Sequence, residues 1–506
     1  MTTQTHNYQI SGNRQVEIQP ARHFIQGAYC DGVQGKWFET INPTNGEVIT
    51  QVAEGFEEDI HRAVCAAHQA FHEGPWRRMS AKERSRIMVN IAEGLEKNGE
   101  ELAYLETLDT GLPIAQARGQ AARAADNFRF FAKKAEEMTG ETYPVDESFL
   151  NYTVRRPVGV AGLITPWNTP LMLSTWKIAP CLATGNTAVL KPAEWSPLTA
   201  TKLAQIIHDA GIPEGVFNVV HGFGETAGAA LVAHPLVNLI SFTGETTTGK
   251  EIMRNGSSTL KRFSMELGGK SPVVVFADAD LERALDAVVF GLYSLNGERC
   301  TAGSRLLIER SIKDEFEERL KERVARIRLG DPFDPKTEVG PLIHRNHYQR
   351  VQEYIRVGLN EGATLAVGGF SPDDQVGNFV RPTLFTNVRN DMRIAQEEIF
   401  GPVLVSIPFD SEEEAVHLAN DVAYGLAAYV WTNNLTKAHR VAGQIESGMV
   451  WINSQNVRDL RTPFGGSKNS GIGREGGHYS FEFYTELKTI HVSMSHHPIP
   501  KFGKVE

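Results

Sequence analysis

From residue 158 onward, short β-rich runs alternate with helical stretches. The runs fall at residues 158–164, 187–190, 216–220, 239–242 and 272–276. Such alternation implies parallel strands joined by helical crossovers, and a parallel sheet needs helices on both faces. A second alternating block extends from about Leu281 to Asn453, with strands near 306–309, 403–407, 427–431 and 449–452. At 506 residues the chain is too long for one hydrophobic core. Two α/β domains are the economical reading.

The segment ahead of the alternation is helical. Ile60, Ala63, Val64, Ala67 and Phe71 recur at helical spacing, and Ser80-Ala81-Lys82-Glu83 is a capping box opening a helix that carries Ile87, Ile91 and Leu95. Residues 109–113 break the pattern, and a further helix is expected over about 116–138. Residues 1–20 read as a loose arm. In the tail, Ile490, Val492 and Met494 alternate as in an additional strand. No repeat period and no low-complexity linker is visible.

Composition narrows the partners. The 51 basic and 61 acidic residues are interspersed and leave a net charge of −10, without the basic stripe that phosphate backbones require, so nucleic acid is not the expected partner. Cys30, Cys65, Cys181 and Cys300 form no CxxC pair, which argues against a disulfide framework and a zinc site and favours a reducing compartment. No bound metal is expected, and the pair His496-His497 has no third ligand nearby. Residues 1–19 lack the apolar core of a secretory signal, and apolar runs such as 273–277 are too short to span a bilayer. These features point to the cytoplasm.

Cys300 lies in Asn296-Gly297-Glu298-Arg299-Cys300-Thr301-Ala302-Gly303, among small and polar residues. That context favours a reactive thiol over the buried hydrophobe a free cysteine usually is. Upstream, Met265-Glu266-Leu267-Gly268-Gly269 offers a lone carboxylate beside glycines that permit close backbone approach; the alternative is an exposed loop carboxylate. Asn168, in Thr165-Pro166-Trp167-Asn168, is either a turn amide or an amide aimed into a cleft beyond a strand's carboxyl end. Lys191 and Glu194 follow the next strand and are either a solvated pair or ribose ligands, in which case the carboxylate disfavours a 2′-phosphate and NAD is favoured over NADP. Phe242-Thr243-Gly244 opens a helix, as a tight turn or a phosphate site. Glu398 and Phe400, and Phe464 before Gly465-Gly466, are compatible with ligand contact or with core.

Taken together, TPWN, KPAE, FTG, MELGGKSP, NGERC, EEIFGP and PFGG, in this order between about His23 and Lys488, resemble the aldehyde dehydrogenase superfamily. The resemblance implies two doubly wound α/β domains, a Rossmann-like NAD-binding domain (20–138 and 157–267) and a catalytic domain (268–483). A small β oligomerisation element (139–156 and 484–506) would support a homodimer or homotetramer. It further implies Cys300 as nucleophile, Glu266 as the base for deacylation and Asn168 as oxyanion donor. Thr165, Trp167, Lys191, Glu194, Gly224, Phe242, Gly244, Glu398 and Phe400 would line NAD, and a small-molecule aldehyde would be the substrate. Where many members carry serine after the FTG glycine, this chain has Glu245, a carboxylate expected to turn away from a pyrophosphate.

Further motifs, among them Gly111-Leu112-Pro113-Ile114, Asn151-Tyr152 and the segment 473–481, resemble 5-carboxymethyl-2-hydroxymuconate semialdehyde dehydrogenases, which oxidise an acidic ring-cleavage product in aromatic catabolism. 2-Hydroxymuconate semialdehyde and a broader aldehyde range stay open. An anionic substrate calls for arginines, and Arg123 and Arg458, with Trp176 and Phe464, are the expected substrate contacts.

Overall fold

The computed structural model describes residues 6–9, 15–371 and 376–504. Two large sheets organise the chain. In the first, five parallel strands run in the order Arg262–Glu266, Leu239–Thr243, Val160–Ile164, Thr187–Lys191, Phe217–Val219. Antiparallel strands extend it at both edges: Gly471–Ile472 beside Arg262–Glu266, and His23–Ile25 with Ala28–Cys30 at the far side. The earliest parallel strand, Val160–Ile164, is central, and the chain leaves it first in one direction and later in the other. A crevice is expected beyond the strand ends at such a reversal.

The second sheet holds Pro272–Val275 centrally. Arg305–Glu309, Val403–Phe409 and Arg381–Thr386 are parallel on one side, Ala427–Trp431 and Met449–Ile452 on the other, and antiparallel Thr364–Gly369 forms the edge. Both sheets are covered on both faces, as alternate residues show. Val274 packs with Val351, Phe385 and Ile407, while its neighbours Val273 and Val275 pack with Leu285, Val288 and Leu320 on the opposite face. In the first sheet Leu190 and Leu163 face one core, and Val189 and Ile164 the other. Period-two burial on two apolar faces is what a doubly wound parallel sheet requires.

The expected helices form. Glu57–His72 and Ala81–Lys97 are present, and the Ser80 hydroxyl accepts from the Glu83 amide while the Glu83 carboxylate accepts from the Ser80 amide at 2.8 Å. The third helix starts earlier than its spacing suggests, at Ile114, because Pro113 supplies its entry; it ends at Glu136. A helix over Gly99–Thr110, closed by Gly111 at φ 75°, was not legible because it is buried nearly all round and carries no apolar stripe.

The expected loose arm is instead a hairpin in its described part. His6–Gln9 pairs antiparallel with Gln15–Ile18, and Ile18 is buried with Ile49, Leu105 and Leu108. That anchor supplies the apolar contact a two-stranded ribbon lacks alone. The tail strand Thr485–Ser493 pairs antiparallel along all nine residues of Phe149–Pro157, which also pairs with Thr142–Asp146. Residues 471–484 pack with the first sheet: Gly471–Ile472 joins it as a strand, and Phe481 and Tyr484 enter its core. Among the described residues no helix is long and apolar enough to cross a membrane, and no group of three or more His, Cys, Asp or Glu could hold a metal ion.

Candidate active site

Two cavities open beyond the carboxyl ends of the first sheet's parallel strands. One, of about 470 Å³, is lined by Thr165, Lys191, Glu194, Gly224 and Phe242. The other, of about 330 Å³, is lined by Asn168, Glu266, Cys300, Glu398 and Phe400. Pro166, Trp167, Thr243, Gly244 and Glu245 line both, so the two are ends of one groove. It lies at the reversal of strand order and reaches the loop that carries Cys300.

That loop is held in an unfavourable backbone path. Leu295, Asn296 and Gly297 all have positive φ, 54°, 58° and 75°. Two consecutive non-glycine residues in this region cost on the order of 1–3 kcal/mol each and persist only when surroundings over-determine them. Here the surroundings do. The Asn296 amide donates to the carbonyls of Gly111 and Pro341 and its Oδ1 accepts from the Gly340 amide. The Glu298 carboxyl accepts from the Ile343 amide, and the Tyr429 hydroxyl donates to the Thr301 carbonyl at 2.8 Å. The half-buried Cys300 therefore sits on a short rigid arch. Desolvation, helped by the Glu398 and Glu266 carboxyls, pushes its thiol up to about 12 against the pull of Arg458 and Arg299.

Glu266 ends a parallel strand, so its side chain reaches the groove from the sheet. Both carboxyl oxygens are buried without a hydrogen-bond partner. Desolvation, then the Glu475 carboxylate, raises it well above the ordinary carboxyl range, which favours its protonated form. Glu398 accepts from the Gly269 amide at 2.8 Å, and burial raises it to about 7. Gly268 is required there: a Cβ would stand 2.1 Å from Glu398 Oε2. An unpartnered carboxyl facing a half-buried thiol is poised to receive or release a proton.

The Asn168 amide donates to the Glu298 carbonyl at 2.8 Å, which fixes the orientation of its –NH₂ beside the Cys300 loop. Trp167 and Phe400 meet edge to face, centroids 5.3 Å apart, and Phe400 adopts φ 60° while its carbonyl contacts His347 Nε2 at 2.7 Å. Burial keeps His347 neutral, with its pKa lowered to about 3, so Nε2 carries the donated hydrogen. At the other end Lys191 Nζ and Glu194 Oε2 are 2.9 Å apart. The Thr165 hydroxyl bonds that of Ser174 at 3.2 Å, and Gly244 packs under the Phe242 ring.

Glu245 does not turn away from the groove as expected. It lines both cavities, and its carboxylate lies 3.7 Å from Arg350 Nη1, where an opposite charge from beyond the second sheet offsets it.

Arg123, Arg458, Trp176 and Phe464 line neither cavity; Arg458, Trp176 and Phe464 form a group of their own, and Arg458 acts on the thiol. The Arg458 guanidinium lies over Phe464 at 4.0 Å and over Trp176 at 5.0 Å. Burial, then the like charge of Arg123, lowers it to about 10, and it acts on both Cys300 and Glu266. Arg123 has only a 3.4 Å contact to Gln120 Oε1.

Several participants escaped sequence reading. Lys177 Nζ and Glu475 Oε1, both buried, are 2.8 Å apart, and Ser241 and Ser264 also donate to that oxygen. Lys177 lies in the buried helix Pro170–Ala183, and a lysine in an apolar run was the available signal. Arg350, His344 and His347 come from one helix end whose spacing carries no motif. Arg299 stood inside the NGERC motif but was read only as context for the cysteine.

The aldehyde dehydrogenase family pattern matches residues 29–490. The chain is 53% identical over 470 residues to a 5-carboxymethyl-2-hydroxymuconate semialdehyde dehydrogenase of Escherichia coli, covering 92% of this chain and 99% of the relative. It is 47% identical to a 2-hydroxymuconic semialdehyde dehydrogenase of a Pseudomonas strain, covering 94% and 99%. Among solved structures, HpcC from Thermus thermophilus superposes with a TM-score of 0.94 at 57% identity, covering 96% of this chain and 95% of that one. An NAD⁺ complex of a Bacillus cereus aldehyde dehydrogenase superposes at 0.93 with 44% identity, covering 94% and 97%. With the family pattern spanning nearly its full length, the chain belongs to the aldehyde dehydrogenase family.

Proposed function

We propose that this enzyme oxidises an acidic semialdehyde, 5-carboxymethyl-2-hydroxymuconate semialdehyde, to the carboxylic acid, with NAD as acceptor. One observation carries the substrate class. Arg458 acts on Cys300 and Arg123 acts on Arg458, and among the described residues neither forms an ion pair with a carboxylate. Partly buried guanidiniums without a partner are costly unless a ligand anion fills the gap. The named activities of the relatives at 53% and 47% identity agree with an acidic aldehyde.

The groove fits a dinucleotide. It crosses the strand-order reversal, ends in a Lys191–Glu194 pair suited to ribose hydroxyls, and at the other end holds Glu398 against a glycine amide. The Glu194 carboxylate disfavours a 2′-phosphate. Thr165, Trp167, Gly224, Phe242 and Gly244 would wall the cofactor, with Phe400 against its nicotinamide half. Bound there, NAD supplies the hydride acceptor that turns a thiohemiacetal on Cys300 into a thioester.

The chain's own residues do the rest. Cys300 Sγ, as thiolate, attacks the aldehyde carbon, and the carbonyl oxygen takes the charge. The Asn168 –NH₂ and the Cys300 amide donate to that oxygen. Glu266, once deprotonated, takes a proton from the water that attacks the thioester; the acid leaves and the sulfur is regenerated. Segments 20–138 and 157–267 would form the NAD-binding domain, which also lends Asn168 and Glu266 to the chemistry, and 268–483 the catalytic domain, whose residues 471–483 pack back on the first sheet.

Replacing Arg123 or Arg458 by alanine is expected to raise KM for the diacid semialdehyde about 10–100-fold, the scale of one charged hydrogen-bond pair. KM for a neutral aldehyde such as hexanal should stay within about threefold. Equal losses on both substrates would remove the assignment.

The same reading gives residues 139–156 and 484–506 to self-association. Tyr143, Val145, Leu150, Leu487 and Met494 are exposed on or beside the three-stranded sheet, a concentration of apolar surface that a second copy would cover as a homodimer or homotetramer. A Leu487→Glu, Met494→Glu double variant should lower the mass measured by light scattering to that of one chain. An unchanged mass rejects the surface. All four cysteines are free, in keeping with a reducing, cytoplasmic setting.

A further inference from the structure

Beyond Arg123 and Arg458, a third cation adjoins the thiol. Arg299 is the residue immediately before the nucleophile. Its guanidinium lies 5.6 Å over the Phe290 ring, its Nη1 is buried without a hydrogen-bond partner, and among the described residues it pairs with no carboxylate. Its charge acts on Cys300 and on Arg123, and Arg123 acts in turn on Arg458. The three guanidiniums thus act on one another in series, and Arg299 and Arg458 both act on the thiol.

Among the described residues no carboxylate forms an ion pair with any of the three; Asp126, Glu266 and Glu475 act on them only from farther off. Burial raises the Glu266 carboxyl, Glu475 is already paired with Lys177, and Asp126 acts on Arg123 without forming an ion pair with it. Three cations so placed repel one another and are stabilised only when anions occupy the space among them. A single substrate carboxylate shared by Arg123 and Arg458 leaves Arg299 unmatched. A second carboxylate completes the set, because a guanidinium binds a carboxylate in a two-point fork and Arg299 has a free edge for it.

We propose that Arg299 is a specificity-determining residue that binds a second carboxylate of the substrate, one branched close to the aldehyde carbon. Its position directly before Cys300 sets the branch near the reacting end, while Arg123 and Arg458 hold the other carboxylate. The inference rests on the acidic-semialdehyde reading above and deepens it: the pocket is built for a dicarboxylate and discriminates against the analogue that lacks the branch. Arg299 acts on binding, not on the reacting bonds.

The test compares wild type, Arg299→Met and Arg299→Lys on three substrates. These are 5-carboxymethyl-2-hydroxymuconate semialdehyde with two carboxylates, 2-hydroxymuconate semialdehyde with one, and hexanal with none. Arg299→Met is expected to lower kcat/KM for the dicarboxylate about 10–100-fold, mostly through KM, and to change the other two by less than about threefold. Arg299→Lys should restore part of the loss. Arg299→Met should move the pH profile of Cys300 alkylation by iodoacetamide upward, because it removes a charge that lowers the thiol, and Arg299→Lys should leave it near wild type. Equal losses on all three substrates would assign Arg299 to holding the Cys300 loop and overturn the proposal. A wild type that prefers the acids, with an Arg299→Met variant showing no selective loss, overturns the role of Arg299 alone. A wild type indifferent to substrate charge overturns the substrate class, and this proposal with it.

Discussion

Cys300→Ala is expected to abolish aldehyde oxidation, by on the order of 10⁴-fold or more, while leaving the protein folded and able to bind NAD. Losing a covalent nucleophile has an effect of this size because no other group takes over bond formation. Among the four cysteines only Cys300 lines the groove, and Cys181 is fully buried with its thiol raised beyond reach of ionisation at neutral pH. The arch around Cys300 is secured by Asn296, Glu298 and Tyr429, none of which bonds to the sulfur, so alanine should leave it intact. NAD affinity by fluorescence titration and the melting temperature should match wild type, with NADH formation absent. Residual turnover above about one part in 10³ would exclude Cys300 as nucleophile. The resting thiol, pushed up to about 12, also predicts slow alkylation in the free enzyme.

Glu266→Gln is expected to separate the two halves of the reaction. Acylation needs Cys300 and Asn168, so a burst of about one NADH per active site should remain. Steady turnover should fall by roughly 10²–10⁴-fold, the usual contribution of a general base. The pH dependence follows from the raised carboxyl. Only the ionised form accepts a proton, so deacylation should quicken as pH rises through the raised pKa of this carboxyl, and the variant should lose that rise. Stability carries the opposite sign. In the unfolded chain this carboxyl ionises near its ordinary value, while in the folded protein it stays protonated to higher pH. Folding stability therefore falls as pH climbs between those two values. The glutamine variant lacks this group and should show a flatter pH dependence of its denaturation midpoint. A variant with no burst, or with unchanged steady turnover, would remove Glu266 from deacylation.

Much of the fold was legible because strand and helix periods are local. The capping box at Ser80, the strands around 187–190 and 427–431 and the tail pairing of 485–493 lie close to where alternation put them. What failed locally failed for tertiary reasons. The helix Gly99–Thr110 has no apolar stripe because neighbours bury all its sides, and the amino-terminal hairpin depends on Ile18 entering a distant core. At the site, the motifs with unusual residues in polar loops stood out. Glu266, Asn168 and Cys300 do line one cavity, and Glu398, from far along the chain in the second sheet's half, lines it with them.

Electrostatic roles were the least legible, because a charge is defined by its surroundings. Glu245 reads alone as a repulsive carboxylate and turns out to face Arg350 across the groove. Arg299 reads as the spacer before a cysteine and becomes, with Arg123 and Arg458, one of three cations that act on one another in series.

Family and fold were thus settled by the chain's own order of residues: short-range periods specify strands and helices, and the motif series from TPWN to PFGG is a linear property. Which groups hold protons, and which cations lack a partner, was decided only by the folded chain. Ionisation depends on desolvation and on charges a few ångströms away, and residues 123, 299 and 458 acquire such neighbours only when separate sheets and helices are packed together.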